Sequence, residues 1–202
     1  MRIACIGGGP AGLYFSISMK LFDQSCEVVV LERNKPNDTF GWGVVLSDET
    51  LENLHANDPI SAASIRKNFA YWDDIALHFR GERLVSTGHG FCGIGRKKLL
   101  MLLQERAHSL GVDLRYETEV ESAEAYRGEY DVVVANDGLN SKTRMLYKDT
   151  FKPAVDERLC QFVWLGTHQT FKDAFTFIFE ETEHGWVWVH AYQFDGNTAT
   201  FI

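Results

Sequence analysis

Three glycines near the amino terminus have the spacing of a phosphate-binding turn. Gly7, Gly9 and Gly12 match the pattern GxGxxG, and they lie between a short apolar run at residues 3–6 and a helical pattern of apolar residues. In that setting the first glycine permits the turn, the second lets the backbone approach a pyrophosphate, and the third lets the helix pack closely on the strand. An ordinary tight turn is the alternative interpretation.

Glu32 supplies the carboxylate that such a site needs. It follows the β-branched run at residues 27–31, about 20 residues after the last glycine, where a carboxylate can accept hydrogen bonds from both hydroxyls of an adenosine ribose. The glycines and the acid together predict a dinucleotide site. They do not separate FAD from NAD, because both cofactors carry the same ADP half.

A second polar loop follows a later apolar run. Residues 130–135 have the pattern of a buried strand and lead into Asp137-Gly138, Ser141 and Arg144, which have the spacing DGxxSxxR. The Asp-Gly turn can direct a carboxylate and free backbone amides towards the carboxyl end of the strand, and Ser141 can cap the helix that carries Arg144. A simple Asp-Gly loop followed by a capped helix explains the same residues.

The elements that must position these residues follow from the apolar periodicity. Residues 2–32 form a strand, a helix and a strand, and residues 34–45 have the composition of a loop. The remaining predictions are a helix from a Ser47 cap to Asn53, a helix from a Ser61 cap to Trp72, a hairpin at 75–79 and 83–86, a helix from Arg96 to Ser109 that stops before Gly111, and strands at 112–116 and 130–135. This is a Rossmann-like α/β region with the helices and hairpin of residues 47–90 inserted.

The character of the chain changes after Cys160. Aromatic and β-branched runs alternate with breaks at residues 184–185 and 195–197, which is typical of an antiparallel sheet. We therefore place a domain boundary near Lys152-Pro153. Residues 1–152 are predicted to form the nucleotide-binding region, and residues 153–202 to begin a mostly antiparallel sheet domain that binds substrate.

One strand of that sheet carries candidate substrate contacts. The side chains at positions 186, 188, 190 and 192 share one face, because strand residues alternate. His190 and Tyr192 are the polar members of this face and are the candidates for contact with a substrate. The alternative is that they belong to the core of the sheet.

Composition and charge argue against several classes of protein. The chain has 202 residues, 45% of them hydrophobic, and 28 acidic against 20 basic side chains give a net charge of −8. A nucleic-acid partner is not expected at that charge, and no apolar run approaches the roughly 20 residues that span a bilayer. Four cysteines without CxxC spacing, and histidines without a partner at ligand spacing, predict free thiols in the cytoplasm and no metal site.

Four segments, taken in order, resemble the FAD-dependent aromatic-ring monooxygenases of the p-hydroxybenzoate hydroxylase class. They are the glycine turn at residues 7–12, Glu32-Arg33, the segment at residues 95–100 and the Asp137 loop. The resemblance covers the whole chain. Residues 40–45, FGWGVV, and residues 90–96, GFCGIGR, are similar more specifically to the FAD module of the salicylyl-CoA 5-hydroxylase and anthraniloyl-CoA monooxygenase branch.

The resemblance implies FAD as the cofactor and assigns roles to the residues of the motifs. The glycine turn would hold the pyrophosphate, Glu32 the adenosine ribose, and Arg96 the phosphate and ribityl region. Asp137 would serve the side of the crevice that flavin and nicotinamide share. The cofactor-binding residues implied in this way are Gly7, Gly9, Pro10, Ala11, Gly12, Glu32, Arg33, Arg96, Asp137 and Gly138.

The resemblance implies hydroxylation of an aromatic compound, with an aromatic acyl-CoA thioester as the expected substrate. Enzymes of this class reduce the flavin with NAD(P)H, add O2 at its C4a carbon, and transfer the distal hydroxyl of that hydroperoxide to the ring. The protein positions the ring and excludes water. No catalytic side chain is assigned.

Two features depart from the pattern of the class. Residues 41–45 lack the arginine that many relatives carry there, and the Gly-Asp segment whose aspartate binds the ribityl chain has no counterpart before Ile202. We therefore expect a chain truncated within its sheet domain, with a fused or partner reductase domain downstream. The alternatives are a flavin- or NAD-dependent oxidoreductase without oxygen chemistry, and a nucleotide-binding fragment that is catalytically incompetent.

Overall fold

The computed structural model describes residues 1–202, which form thirteen strands, six α-helices and one short 3-10 helix at Ala123–Tyr126. In chain order the elements are β1 Arg2–Ile6, α1 Pro10–Phe22, β2 Glu27–Leu31, β3 Gly43–Ser47, α2 Asp48–Asn57, α3 Pro59–Arg66, β4 Ala70–Trp72, β5 Ile75–Phe79, β6 Glu82–Ser86, β7 Phe91–Gly95, α4 Arg96–Ser109, β8 Asp113–Arg115, β9 Val132–Ala135, α5 Lys142–Leu146, α6 Lys148–Phe151, β10 Leu165–Thr167, β11 Phe175–Thr182, β12 Gly185–Gln193 and β13 Ala199–Phe201.

The chain divides into two compact units, and each unit is made of two separate segments. The first unit comprises Met1–Asp38 and Leu100–Leu159, and the second comprises Thr39–Leu99 and Cys160–Ile202. The longest helix, α4, has 14 residues, and none of the helices could span a membrane.

The first unit contains a four-stranded parallel sheet in the order β8-β2-β1-β9. The two central strands are almost entirely apolar, as expected for strands that are covered on both faces. Ala4, Val29 and Leu31 form a buried cluster against which Tyr130 and Val133 pack. Since parallel strands end at a common edge, the segments after β1, β2 and β9 meet at the carboxyl edge of this sheet.

The second unit contains two sheets. Six strands form a mixed sheet in the order β10-β13-β12-β11-β5-β6, and three strands form an antiparallel sheet in the order β3-β7-β4. Within the larger sheet, β11 pairs in antiparallel fashion with β12 and in parallel fashion with β5. Residues 75–79 of β5 are thereby paired with residues 175–179 of β11, 100 positions later in the chain, and β6 pairs with β5 on its other side.

Most of the predicted elements are confirmed. The strand–helix–strand unit is present as β1, α1 and β2, the hairpin as β5 and β6, and the long helix as α4. The apolar stripe of α4 at Leu99, Leu100, Leu103 and Ala107 is buried. The mixed α/β fold with a parallel sheet and a largely antiparallel sheet is therefore confirmed.

The predicted helix from a Ser61 cap to Trp72 is wrong at both ends. The helix begins earlier, because Asp58 is its cap and accepts a hydrogen bond from the Ile60 amide at 3.3 Å. Ser61 instead donates its hydroxyl to the Asp58 carboxylate at 2.6 Å. The predicted helix also extends too far, since α3 ends at Arg66 and β4 follows it.

The loop predicted at residues 34–45 is also wrong at its end. Gly43–Ser47 forms β3, in which Val44 and Val45 pair with Ile94 and Gly93 of β7. The β-branched pair at positions 44 and 45 decided the local structure, although glycine, proline and asparagine dominate the segment before it.

The compact units follow sheet pairing rather than the order of the sequence. Residues 39–99 group with the late antiparallel strands because β5 pairs with β11, whereas residues 153–159 group with the parallel sheet unit. A domain boundary near residue 152 stays a prediction.

Candidate cofactor-binding site

The glycine turn has the backbone conformation that its residue types predict. Gly7 has a φ of 101°, and a Cβ there would lie 2.4 Å from the carbonyl oxygen of Asn136. A Cβ on Gly12 would lie 2.1 Å from the carbonyl oxygen of Gly7. Both positions therefore need glycine, the first for its φ and its close approach to the loop after β9, and the second for the packing of α1 against the turn.

Helix α1 begins at this turn without a side chain to cap it. Gly9 is its N-cap residue, Pro10 is its first residue, and no side-chain oxygen accepts from the first turn. The amide groups of a first helical turn have no acceptors within the helix, and the helix dipole places partial positive charge there. This terminus is suited to bind an anionic group such as a phosphate.

Glu32 lies directly beside the glycine turn. Its Oε2 accepts a hydrogen bond from the amide of Gly8 at 2.7 Å. Its Oε1 accepts from the amide and the side-chain nitrogen of Asn34, both at 2.8 Å. A carboxylate has about four acceptor positions, and three are used here, so Glu32 retains capacity for about one ribose hydroxyl while it holds the turn in place.

Two observations test whether FAD fits these residues. A Cβ built on Gly9 has no atom within 4 Å, which leaves open space beside the helix terminus. The side-chain nitrogen of Asn136 is buried without a hydrogen-bond partner, and Asn136 packs on the same turn. Open space beside an uncapped helix terminus suits a pyrophosphate, and the unpaired donor belongs to a residue that packs on the same turn.

The carboxylate of Asp137 accepts hydrogen bonds within the loop that follows β9. Asp137 accepts hydrogen bonds from the Ser141 hydroxyl at 2.6 Å and from the Thr143 amide at 3.1 Å. Burial acts to raise the pKa of Asp137, but these hydrogen bonds prevail and lower it below its ordinary value. Ser141 in turn caps α5 by accepting from the Arg144 amide at 2.9 Å, as the sequence predicts.

Arg144 closes the same loop from the other side. It donates to the carbonyl oxygens of Gly138 and Leu139, and Gly138 has a φ of 79°. The DGxxSxxR residues therefore bind one another within the loop at the carboxyl edge of the parallel sheet. Any contact of Asp137 with a cofactor would use the acceptor capacity that remains.

Arg96 lies in the second unit, as the first residue of α4. Its amide donates to the carbonyl of Trp42 at 2.8 Å, and its Nε donates to the Thr39 hydroxyl at 3.1 Å. These bonds orient the guanidinium group and leave both terminal nitrogens available. The neighbouring Lys97 and Lys98 are exposed and make no such bonds.

His190 and Tyr192 lie on the aromatic face of the six-stranded sheet. Tyr192 is buried, and its hydroxyl donates to the Gly43 carbonyl at 2.8 Å, so it anchors β3 on the sheet. His190 is half-buried, and its ring contacts those of Phe177 and Trp188, with centroids 4.8 Å and 4.4 Å away. Burial lowers the pKa of His190, so its ring is neutral at pH 7.

The first unit thus brings together most of the predicted cofactor-binding residues. Gly7, Gly9, Pro10, Ala11 and Gly12 form the turn and the start of α1, with Glu32, Asp137 and Gly138 on the adjoining loops. Arg33 is exposed next to Glu32. Arg96, His190 and Tyr192 belong to the second unit. No group of three or more histidine, cysteine, aspartate or glutamate side chains is arranged to hold a metal ion.

Sequence reasoning missed three residues that support the site: Asn34, Thr39 and Asn136. Asn34 binds the second oxygen of Glu32, and Thr39 orients Arg96. The position of Asn34, two residues after the acid, is a local signal that could have indicated its role. The other two act across long sequence separations, so no local pattern could have identified them.

Comparison with known proteins identifies the family. The family model described as "FAD binding domain" matches residues 1–145. The chain belongs to this FAD-binding family. FAD is accordingly the cofactor, and the ambiguity between FAD and NAD that the glycine turn leaves open is resolved.

Two known proteins are similar to this chain over its whole length. Salicyloyl-CoA 5-hydroxylase from a Streptomyces species is 43% identical over 202 residues, which are 100% of this chain and 39% of that protein. Protodeoxyviolaceinate monooxygenase from Chromobacterium violaceum is 32% identical over 206 residues, covering 100% of this chain and 54% of that protein. The chain therefore spans about two fifths of the length of the first relative and just over half of the second.

A solved structure shows the same fold. The tetrameric form of 2-methyl-3-hydroxypyridine-5-carboxylic acid oxygenase superposes with a TM-score of 0.78 at 19% identity, covering 99% of this chain and 57% of that chain. This likeness supports the arrangement of a parallel sheet with a largely antiparallel one.

Proposed function

We propose that this chain is the FAD-binding part of a monooxygenase that hydroxylates an aromatic acyl-CoA thioester. The observation that carries the proposal is the 43% identity to salicyloyl-CoA 5-hydroxylase, which runs through both compact units and so includes the glycine turn and the aromatic sheet. Bound FAD supplies the redox chemistry, with NAD(P)H as the electron donor and O2 as the second substrate.

In this proposal the first unit holds the ADP half of the cofactor. The uncapped start of α1 and the space beside Gly9 receive the pyrophosphate, and Glu32 accepts a hydrogen bond from a ribose hydroxyl at its remaining acceptor position. The free guanidinium nitrogens of Arg96 bind the phosphate and ribityl region. Asp137 and Gly138 serve the flavin and nicotinamide side through the loop that Ser141 and Arg144 hold.

The aromatic face of the large sheet is the proposed wall for the substrate ring. A cavity of about 450 Å³ opens on strands β5, β6, β11 and β12, and it is lined almost entirely by hydrocarbon side chains, among them Leu77, Phe177 and Trp188. Phe177 lines this cavity, and its ring also contacts the ring of His190. Apolar walls bind an aromatic ring and exclude water, and a neutral imidazole can exchange hydrogen bonds with a ring substituent without burying a charge.

Two further parts of the proposal concern the whole protein. A reductase domain, fused or separate, is the proposed partner in supplying electrons. The cytoplasm is the proposed location, which the three buried, unpaired thiols of Cys5, Cys26 and Cys92 support.

The test measures whether an oxygen atom of O2 is incorporated into the product. The full-length protein is loaded with FAD and supplied with NADH or NADPH, labelled O2, and either salicyloyl-CoA or free salicylate. We expect one labelled oxygen atom in the acyl-CoA product and faster NAD(P)H oxidation with the thioester than with the free acid.

The other results distinguish the alternatives. FAD uptake and NAD(P)H oxidation without labelled product would favour an oxidoreductase that lacks oxygen chemistry. Failure to bind FAD at all would favour the alternative that the chain is a catalytically incompetent fragment. Equal turnover of the free acid and the thioester would contradict the acyl-CoA assignment alone.

A further inference from the structure

Asn136 has a buried side-chain nitrogen with no hydrogen-bond partner. Its backbone is fixed, since the Asn136 amide donates to the carbonyl of Ile6 at 2.7 Å. A buried donor left unpaired destabilises a protein by about 1–3 kcal/mol, and most buried polar groups are therefore paired. An unpaired amide held by a well-ordered backbone calls for a physical explanation.

The position of Asn136 supplies one. The residue follows β9 at the carboxyl edge of the parallel sheet, and its carbonyl carbon and oxygen lie against Gly7. Its Cβ lies 3.4 Å from the position that a Cβ on Gly12 would occupy. Asn136 therefore packs on the first and the third glycine of the turn, at the start of α1.

A second, independent feature at the same turn also lacks a partner. Helix α1 has no side-chain cap, and the space beside Gly9 is open. The helix terminus offers backbone donors and partial positive charge, and Asn136 offers one more donor. Both features would be satisfied by a single anionic group at the turn.

Three other buried polar atoms lack partners, and each is placed differently. Trp164 Nε1 and Gln193 Oε1 belong to the second unit, and Arg144 donates through its two other guanidinium nitrogens to the loop carbonyls. Asn136 is the member of this set that packs on the glycine turn.

We propose that Asn136 is a cofactor-binding residue, whose side-chain amide gains its hydrogen-bond acceptor when the pyrophosphate of FAD binds at the glycine turn. This inference rests on the FAD site described above and adds a residue that the motif does not contain. The unpaired donor destabilises the empty protein, and binding removes that penalty. Asn136 therefore couples cofactor binding to the stability of the turn.

The experiment compares stability and affinity in the same variants. Asn136→Leu removes the donor and keeps the number and branching of the side-chain heavy atoms, and Asn136→Ala removes it with less risk of a steric clash. Asn140→Ala is the matched control, because Asn140 is an exposed asparagine in the same loop. Melting temperatures are measured without ligand, and dissociation constants are measured for FAD and for ADP, which carries the diphosphate without the flavin.

For Asn136→Leu we expect an unchanged or higher melting temperature but a lower affinity for FAD and ADP. Without ligand, Asn136→Leu melts at the same temperature as the unchanged chain or higher, because a buried unpaired donor has been removed. Both variants bind FAD and ADP about tenfold more weakly, which corresponds to about 1.4 kcal/mol. Asn140→Ala changes neither quantity.

Three results would overturn parts of the argument separately. Unchanged affinity of both variants for FAD and ADP overturns the role of Asn136, whatever their stability. A lower melting temperature of both variants without ligand also overturns it, because the amide would then already be paired in the empty protein. Failure of the unchanged chain to bind FAD overturns the cofactor site itself.

Discussion

The carboxylate of Glu32 accepts a hydrogen bond from the backbone amide of Gly8, with 2.7 Å between Oε2 and the nitrogen. The acid at the end of β2 thus holds the middle of the glycine turn that follows β1. A Cβ on Gly8 would lie 2.9 Å from the Cβ of Glu32, so the two segments are in close contact. The acid has a structural task in addition to its proposed contact with the ribose.

Substitution of Glu32 should separate these two tasks. Glu32→Ala is expected to weaken FAD binding about ten- to a hundredfold, because charge-assisted hydrogen bonds contribute about 1.5–3 kcal/mol. It should also lower the melting temperature, since the amides of Gly8 and Asn34 lose their acceptor. Glu32→Gln keeps an acceptor and should retain more of the stability than of the affinity. Fluorescence titration with FAD and thermal unfolding give both quantities, and Glu27→Ala, an exposed change on the same strand, is the control.

Alanine substitutions of the second and third glycines of the turn, Gly9 and Gly12, should have different effects on stability and on FAD affinity. A Cβ on Gly12 would collide with the Gly7 carbonyl, so Gly12→Ala should destabilise the fold by about 1–3 kcal/mol. Gly9 has a φ of −72° and open space around it, so Gly9→Ala should change stability by less than about 0.5 kcal/mol.

The affinity for FAD should nevertheless fall at least tenfold in Gly9→Ala, because the new methyl group occupies space through which the pyrophosphate approaches. Gly196→Ala, which also meets no atom within 4 Å but lies in the second unit, should leave stability and affinity unchanged. Normal FAD binding by Gly9→Ala would show that the pyrophosphate does not lie there.

Local patterns predicted the parts of the fold that local physics decides. The glycine turn before a helix and the Ser141 cap are local patterns, and the structure places the turn at the start of α1 and the cap at the start of α5. At α3, however, the local pattern offers two possible cap residues. Asp58 and Ser61 are both good cap residues, and Pro59, which is favoured at the first helical position, follows the one that is used.

Pairing across long sequence separations could not be predicted in the same way. The parallel pairing of β5 with β11 joins residues 75–79 to residues 175–179, and no periodicity within either segment specifies the partner. The unpaired amide of Asn136 is equally hidden, because it depends on how the loop after β9 packs on the turn after β1. These features arise from tertiary packing.

Arg96 should contribute to FAD binding in a way that lysine cannot replace. Its Nε is bound to the Thr39 hydroxyl at 3.1 Å, which orients the two free nitrogens of the planar group. Arg96→Ala should weaken FAD binding about ten- to a hundredfold, and Arg96→Lys should recover little of the loss. The exposed neighbour Lys97 provides the control, and an equal effect of Lys97→Ala would indicate a general charge effect instead.

The four cysteines should differ sharply in their reactivity towards a thiol reagent such as DTNB. Cys5, Cys26 and Cys92 are buried and Cys160 is exposed. Burial raises the pKa of the Cys92 thiol to about 11, and burial also raises that of Cys5. One thiol per folded chain should react rapidly and all four after unfolding in denaturant. Cys160→Ser should abolish the rapid phase, and its persistence would show that a buried cysteine becomes accessible in the folded state.

His190 should make the stability of the protein depend on pH below neutrality. Burial among Phe177, Trp188 and Phe175 lowers its pKa from the ordinary value of 6.5. As the pH falls below 6.5, the unfolded chain therefore takes up a proton that the folded chain does not, and the free energy of unfolding decreases until the pH passes the folded pKa. His190→Phe should lose less stability between pH 6.5 and pH 5 than the unchanged chain. His184→Ala, at the exposed β11–β12 turn, provides the control. NMR titration of the ring gives the pKa of His190 in the folded protein directly. A pKa at or above 6.5 would show that burial does not disfavour the charged ring. The proposal that His190 is a neutral partner of the substrate ring would then lose its support.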